Sequence, residues 1–172
     1  GYHIISKAKK KKFTITSLSK KKPKKKRYHK NIEYIYAELR KIKYLKKELI
    51  NKRFDYVINS SGYGAHPEFN LEGLELFRSH FFGVINLVDL IINTKIKKFV
   101  HIGSSSEYGD ISSPFSEKQN CFPKSPYGLA KFSVTKYFEN IFEVYNFPVT
   151  VLRLFQVYGS KQDQNRIVPQ II

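Results

Sequence analysis

Tyr127 and Lys131 stand four residues apart in Pro126-Tyr-Gly-Leu-Ala-Lys131. In a helix that spacing puts a phenol and an ammonium on one face, within reach of one ligand. An ammonium a few ångströms from a phenol favours the phenolate, which can take a proton from a substrate hydroxyl and return it. Lysine-rich helices produce Tyr-x-x-x-Lys by chance, so the pair gains weight from its company. One unit upstream, Phe99-Val-His-Ile102 reads as a buried strand running into Gly103-Ser-Ser-Ser-Glu-Tyr-Gly-Asp110. The carboxyl ends of strands are where open α/β sheets bind ligands, and a serine hydroxyl there can hydrogen-bond a reacting oxygen.

Positioning these groups takes alternating strands and helices, and the periodicities supply them. Tyr2 to Lys12 reads as a helix, Phe13 to Leu18 as a strand, and the Lys20 to Lys30 run, broken by Pro23, as a solvated loop. Ile32 to Tyr36 is a strand, Ile42 to Lys52 a helix, and Tyr56-Val-Ile58 a strand ending at Ser60-Ser-Gly62. Leu71 to Thr94 is helical with a break expected near Gly73. Pro126, after a Ser125 cap, opens a helix to about Tyr145 whose apolar stripe is Phe138, Ile141, Phe142 and Tyr145. Val149 to Leu154 is a strand and Val168 to Ile172 a helix cut short. The expected architecture is a doubly wound α/β fold, a parallel sheet with helices on both faces, truncated at both ends.

At 172 residues and 41% hydrophobic, one domain with a packed core is expected. The net charge of +17 suggests a polyanionic partner, but its distribution argues otherwise. Thirteen of the 31 Lys and Arg lie between Lys7 and Lys30 with no acid among them; the other 18 nearly balance 14 acids. Abundant Lys, Ile, Asn, Phe and Tyr with no Trp is a bias that AT-rich coding produces without selection for nucleic acid. A nucleic-acid module would also interleave aromatics with the charge, and Tyr28 is the only one near the Lys20 to Lys30 run. The lone Cys121 forms no internal disulfide, no secretory signal is recognisable, and a cytoplasmic location is expected. The most apolar stretch, Phe81 to Ile92, is too short to span a bilayer, so no membrane partner is expected. No metal-ligand cluster is visible.

Four segments, in order and spacing, resemble the extended short-chain dehydrogenase/reductase family, also called the NAD-dependent epimerase/dehydratase family. They are Phe54-Asp-Tyr-Val-Ile58, Lys98-Phe-Val-His-Ile-Gly-Ser-Ser-Ser-Glu-Tyr-Gly109, Ser125-Pro-Tyr-Gly-Leu-Ala-Lys131 and Val151-Leu-Arg-Leu-Phe-Gln-Val-Tyr-Gly159. The resemblance covers nearly the whole chain and implies a Rossmann-type NAD(P)-binding domain over residues 1–172, with the first strand and a sugar-binding C-terminal segment missing. It implies that Tyr127 is catalytic, that Lys131 tunes it and holds the cofactor ribose, and that Ser104 orients the substrate oxygen. A hydride would move between a sugar carbon and the nicotinamide while Tyr127 moves the proton.

The resemblance also maps the cofactor. Gly1 stands as the last glycine of the family's phosphate-binding turn. Ser19, 18 residues on, falls where the adenosine ribose is met. Family members that prefer NAD usually place an acid there. Ser19 followed by Lys20, Lys21 and Lys22 would suit a 2′-phosphate, so the expectation leans to NADP over NAD. Glu38, next to Leu39, resembles the acid that contacts adenine; the plainer reading is a solvated acid at a helix start. Ser60, Ser61 and Gly62 resemble the segment lining the cofactor.

Departures from the family narrow the reaction. Ser105 and Ser106 occupy the substrate-facing positions where the family's 4,6-dehydratases carry acids. Glu107 comes one place later, and a one-residue shift on a strand-to-loop segment changes facing. A nucleotide-sugar epimerase or 4-keto reductase is therefore expected ahead of a dehydratase or a non-catalytic member. Gln156 replaces an asparagine that contacts the nucleotide sugar, and His80 replaces another. His80 reads more simply as a polar packing residue, and His101 as a satisfied core histidine. Homodimerisation through the Leu71 to Thr94 and Tyr127 to Tyr145 helices is the family's habit. The missing strand would lie between Phe13 to Leu18 and Tyr56 to Ile58, which predicts an unstable, inactive fragment.

Overall fold

The structure is a computed structural model that describes residues 1–62, 67–160, 162 and 164–171. Helix α1 (Tyr2–Lys10) leads to strand β1 (Thr16–Ser19). Phe13, expected to open that strand, instead lies before it, half exposed. Lys12, in the left-handed region at φ 59°, turns the chain out of α1, so Phe13 is still leaving the helix. Within the lysine-rich loop Lys25–Arg27 forms one 3-10 turn, followed by β2 (Glu33–Tyr36), α2 (Ile42–Leu49) and β3 (Tyr56–Asn59). Then come α3 (Leu71–His80), α4 (Phe82–Ile91), β4 (Lys98–Ser104), α5 (Pro126–Tyr145), β5 (Val149–Leu154) and α6 (Ile167–Ile171). Ile172, expected in the last helix, lies outside the described residues.

Every strand pair is parallel, as helical crossovers require. The strands fall into two groups, β1-β2 and β3-β4-β5. The main core joins Val84, Val88 and Ile91 of α4 to Phe99 of β4 and Val134, Phe138 and Ile141 of α5. A smaller core under β2 and α2 holds Ile35, Ala37, Leu45 and Leu49. Leu87 and Leu90 of α4 pack against both cores, so α4 ties the two strand groups together.

Two helix expectations are corrected. The break falls at Phe81, between α3 and α4, and Gly73 lies buried inside α3. A Cβ at Gly73 would sit 2.2 Å from the Glu68 carbonyl oxygen and 2.9 Å from Pro126 Cγ, so this glycine serves a close approach to α5. In α5 the buried stripe is Ala130, Val134, Phe138 and Ile141, while Phe142 and Tyr145 are 48% and 67% exposed. The helix lies on the sheet along its earlier turns. Its ends are as expected: Ser125 Oγ accepts the Gly128 N–H at 3.1 Å and Pro126 takes the first turn. Asn146 closes it in the left-handed region.

Candidate active site

Strand β4 ends at Ser104 and passes into a 3-10 turn, Ser105–Glu107. A reciprocal capping box shapes this turn: Ser104 Oγ accepts the Ser106 N–H at 3.2 Å, and Glu107 Oε1 accepts the Ser104 N–H at 2.8 Å. The amino end of α5 is fitted against the turn. A Cβ on Gly128 would lie 2.4 Å from the Ser106 carbonyl oxygen, so only a bare α-carbon allows α5 this close.

That fit delivers Tyr127 and Lys131. The Lys131 ammonium donates to the Ile102 carbonyl at 3.0 Å and stands 5.9 Å from the centre of the Tyr127 ring. Lys131 is 4% exposed, and burial pushes its ammonium down to about 8, with the Glu107 carboxylate acting in the opposite sense. The two side chains thus face each other beside the strand end that carries Ser104.

His80, at the end of α3 and 3% exposed, meets the Tyr127 ring edge-to-face with centroids 5.4 Å apart. Gly62 lies against the same imidazole, since a Cβ there would come 2.4 Å from His80 Cε1. Below them the Asn59 amide donates to His101 Nδ1 at 3.0 Å, while Asn59 Oδ1 accepts from the Ser61 N–H and hydroxyl. His101 is the core histidine expected, but only half satisfied: its Nε2 has no hydrogen-bond partner among the described residues. Burial pushes it down to about 3, so the ring is neutral.

From Gly62 a cavity of about 720 Å³ runs between the edges of β1 and β3. Gly1, Ser19, Lys20, Glu38, Leu39, Ser60, Ser61 and Gly62, drawn from four separate stretches of sequence, all line it. Its volume is in the upper part of the range of small-molecule and cofactor sites, about 300–1,000 Å³. Ser19 donates its hydroxyl to the Lys21 carbonyl at 2.9 Å. Glu38 is no free helix-start acid: it pairs with Lys20 at 3.4 Å and Arg40 at 3.0 Å, and Arg40 pairs in turn with Glu75 at 2.7 Å. Ser105 and Ser106 are half-buried in the turn after β4, and Gln156 is exposed just past β5.

The sequence of the whole chain, residues 1–172, matches the NAD dependent epimerase/dehydratase family. The chain belongs to this family. It is 23% identical over 146 residues to human dTDP-D-glucose 4,6-dehydratase, covering 83% of the chain and 41% of that protein. To YtcB of Bacillus subtilis, described as an uncharacterized UDP-glucose epimerase, it is 29% identical over 142 residues, covering 71% and 45%. Its fold is that of the UDP-glucose 4-epimerase of Thermotoga maritima, solved with UDP-glucose, at a TM-score of 0.87 and 23% identity, covering 96% of the chain and 55% of the epimerase. The UDP-N-acetylglucosamine 4-epimerase of Methanobrevibacter ruminantium M1, solved with UDP-N-acetylmuramic acid, superposes at a TM-score of 0.76 with 29% identity, over 88% and 50%. This epimerase/dehydratase chain spans about half the length of the proteins it matches.

The family's Rossmann-type architecture is therefore present, with the doubly wound parallel strands expected. Several residues went unnoticed in the sequence. Arg27 and Arg40 also line the cavity, beside the expected Lys20 and Lys21. Glu107, Thr135 and Arg153 form a buried polar cluster behind Ser104. The only sequence signal for that cluster was an acid at the end of an apolar strand. Among the described residues no group of His, Cys, Asp or Glu is placed to hold a metal ion, and no helix is long and apolar enough to cross a membrane.

Proposed function

We propose that the chain is the cofactor-binding part of a nucleotide-sugar epimerase or 4-keto reductase that uses NADP or NAD. The observation that carries this reading is that Tyr127 and Lys131 meet beside the end of β4, with His80 joining Tyr127 to Gly62, one of the predicted cofactor residues that line the cavity. The nicotinamide cofactor supplies the hydride acceptor and donor. Tyr127 would move the proton, taking the hydrogen of a sugar hydroxyl and giving it back on the return step. Lys131, beside the Tyr127 ring, would hold the cofactor ribose. Ser104, whose oxygen already accepts a backbone N–H, keeps its own hydrogen to donate to the sugar oxygen. Ser105, Ser106 and Gln156 bound the sugar side.

Gly1, Leu39 and the Ser60 to Gly62 segment would hold the dinucleotide, with Ser19 and Lys20 at its adenosine ribose. Lys20, Lys21 and Arg27 gather positive charge there, which favours NADP, while Glu38 offsets part of it through Lys20 and Arg40. The dehydratase reading has named relatives in its favour. Against it, Ser105 and Ser106 bring no acid, and the Glu107 carboxylate is fully buried on Arg153. The exposed Leu74, Phe82, Leu129 and Phe142 on α3, α4 and α5 support a homodimer of the full-length protein.

The test is steady-state turnover of the full-length protein on UDP- and dTDP-sugars with each cofactor. Epimerised or 4-reduced sugar is expected, faster with NADP, and Tyr127→Phe is expected to lower kcat by about 100-fold or more with unfolding unchanged. A 4-keto-6-deoxy product would overturn the choice against dehydratase, a preference for NAD would overturn the NADP lean, and full activity in Tyr127→Phe would remove the mechanism.

A further inference from the structure

Glu107 is a carboxylate with no solvent exposure, held from three elements at once. Its Oε1 accepts the Ser104 N–H at the end of β4, at 2.8 Å. Its Oε2 accepts the Thr135 hydroxyl of α5 at 2.7 Å and the Arg153 Nε–H of β5 at 2.9 Å. Arg153 is held in turn with its guanidinium 4.9 Å from the Tyr108 ring centre. Room for the carboxylate comes from Gly103, where a Cβ would lie 2.5 Å from Oε1. The backbone before Ser104 and the acid after it are thus built as one unit.

A buried ion pair of this kind is weak evidence for stability, since desolvation offsets most of its attraction. What it supplies is direction. The Ser104 N–H is held by the carboxylate and the Ser104 oxygen by the Ser106 N–H, so the serine is fixed through two bonds and its hydroxyl hydrogen is aimed by elimination.

We propose that Glu107, clamped by Thr135 and Arg153, is a positioning residue that sets Ser104 relative to the Tyr127 and Lys131 pair. The inference rests on the catalytic reading above. The experiment uses the full-length protein and a pair of substitutions at Thr135 that separate hydrogen bonding from packing. Thr135→Val keeps the volume and loses the hydroxyl; Thr135→Ser keeps the hydroxyl and loses a methyl. If the clamp acts on Ser104, Thr135→Val lowers kcat by about tenfold with KM and cofactor affinity little changed, and Thr135→Ser keeps wild-type kcat even where it melts lower. Glu107→Gln lowers kcat further. In a Ser104→Ala background neither Thr135→Val nor Glu107→Gln costs any more kcat, because the group being positioned is gone.

Wild-type kcat in Thr135→Val, equal losses in Val and Ser, or losses that multiply with that of Ser104→Ala would each overturn the positioning role. Because Thr135→Val is nearly isosteric, it decides the matter even if Glu107→Gln does not fold. Ser104→Ala and Tyr127→Phe with unchanged turnover would instead remove the catalytic reading itself, and the positioning role with it.

Discussion

His101 is 1% exposed, with its Nδ1 on Asn59 and its ring 5.3 Å from that of Phe138. The folded chain keeps it neutral down to about 3, whereas the unfolded chain takes up a proton near the ordinary value of 6.5. The unfolded state therefore binds more protons throughout that window, and stability present above 6.5 is lost as the pH falls toward 3. Lowering the pH of the full-length protein from about 7 to about 5 is expected to remove about 2 kcal/mol through this residue. In urea unfolding His101→Gln should lose that slope; an unchanged slope would place the proton uptake elsewhere. Lys131 works in the same direction, in a higher pH window. Its folded value of about 8 lies below the ordinary 10.5, so its burial costs stability near neutral pH and the cost fades as the pH rises between those values. A base kept buried at such a cost suits a functional role better than a structural one.

At the scale of elements, the site depends on how closely α5 approaches its neighbours. Gly128 lets its first turn touch the Ser106 carbonyl, and Gly73 lets α3 pass under Pro126. Gly73→Ala would place a methyl 2.2 Å from the backbone oxygen of Glu68, which cannot yield as a flexible side chain would. It is expected to destabilise the protein by about 1–3 kcal/mol in chemical denaturation. Turnover should fall as well, because Pro126 is the neighbour of Tyr127. Unchanged stability would show that the Glu68 backbone and Pro126 give way without cost. The elements were legible in the sequence where a local period carried them, as with the Ser125-Pro126 start of α5. The break was not: glycine marks both helix ends and close helix contacts, and only the position of α5 separates the two. The stripe expected on α5 reaches further toward Tyr145 than the buried one, because 3.6-residue periodicity shows a face and not how far a sheet extends beneath it.

At the scale of the molecule, β1 and β3 each present an edge that no strand among the described residues pairs with, both toward the same cavity, bridged where the Phe13 and Tyr56 rings meet at 5.9 Å. Both edges run parallel with their own groups, so the gap has the form a further parallel strand would fill. A longer form of the protein supplying that strand upstream of Gly1 is expected to melt several degrees higher than Gly1–Ile172 and in one transition. Equal melting temperatures would mean that α4 alone holds the two groups together.

Much of this protein was readable before folding. Tyr127 and Lys131 meet because four residues make one helical turn, and the order of strands and helices follows from hydrophobic period, both local properties of the chain. Other features came only from tertiary structure. Eight residues from four stretches line one cavity, His80 rests on Tyr127, and the Glu107 carboxylate turns inward to Arg153 rather than outward with the serines before it. Past the end of a strand a side chain's direction is set by the turn's torsions and by distant donors, here on α5 and β5, that local spacing does not encode.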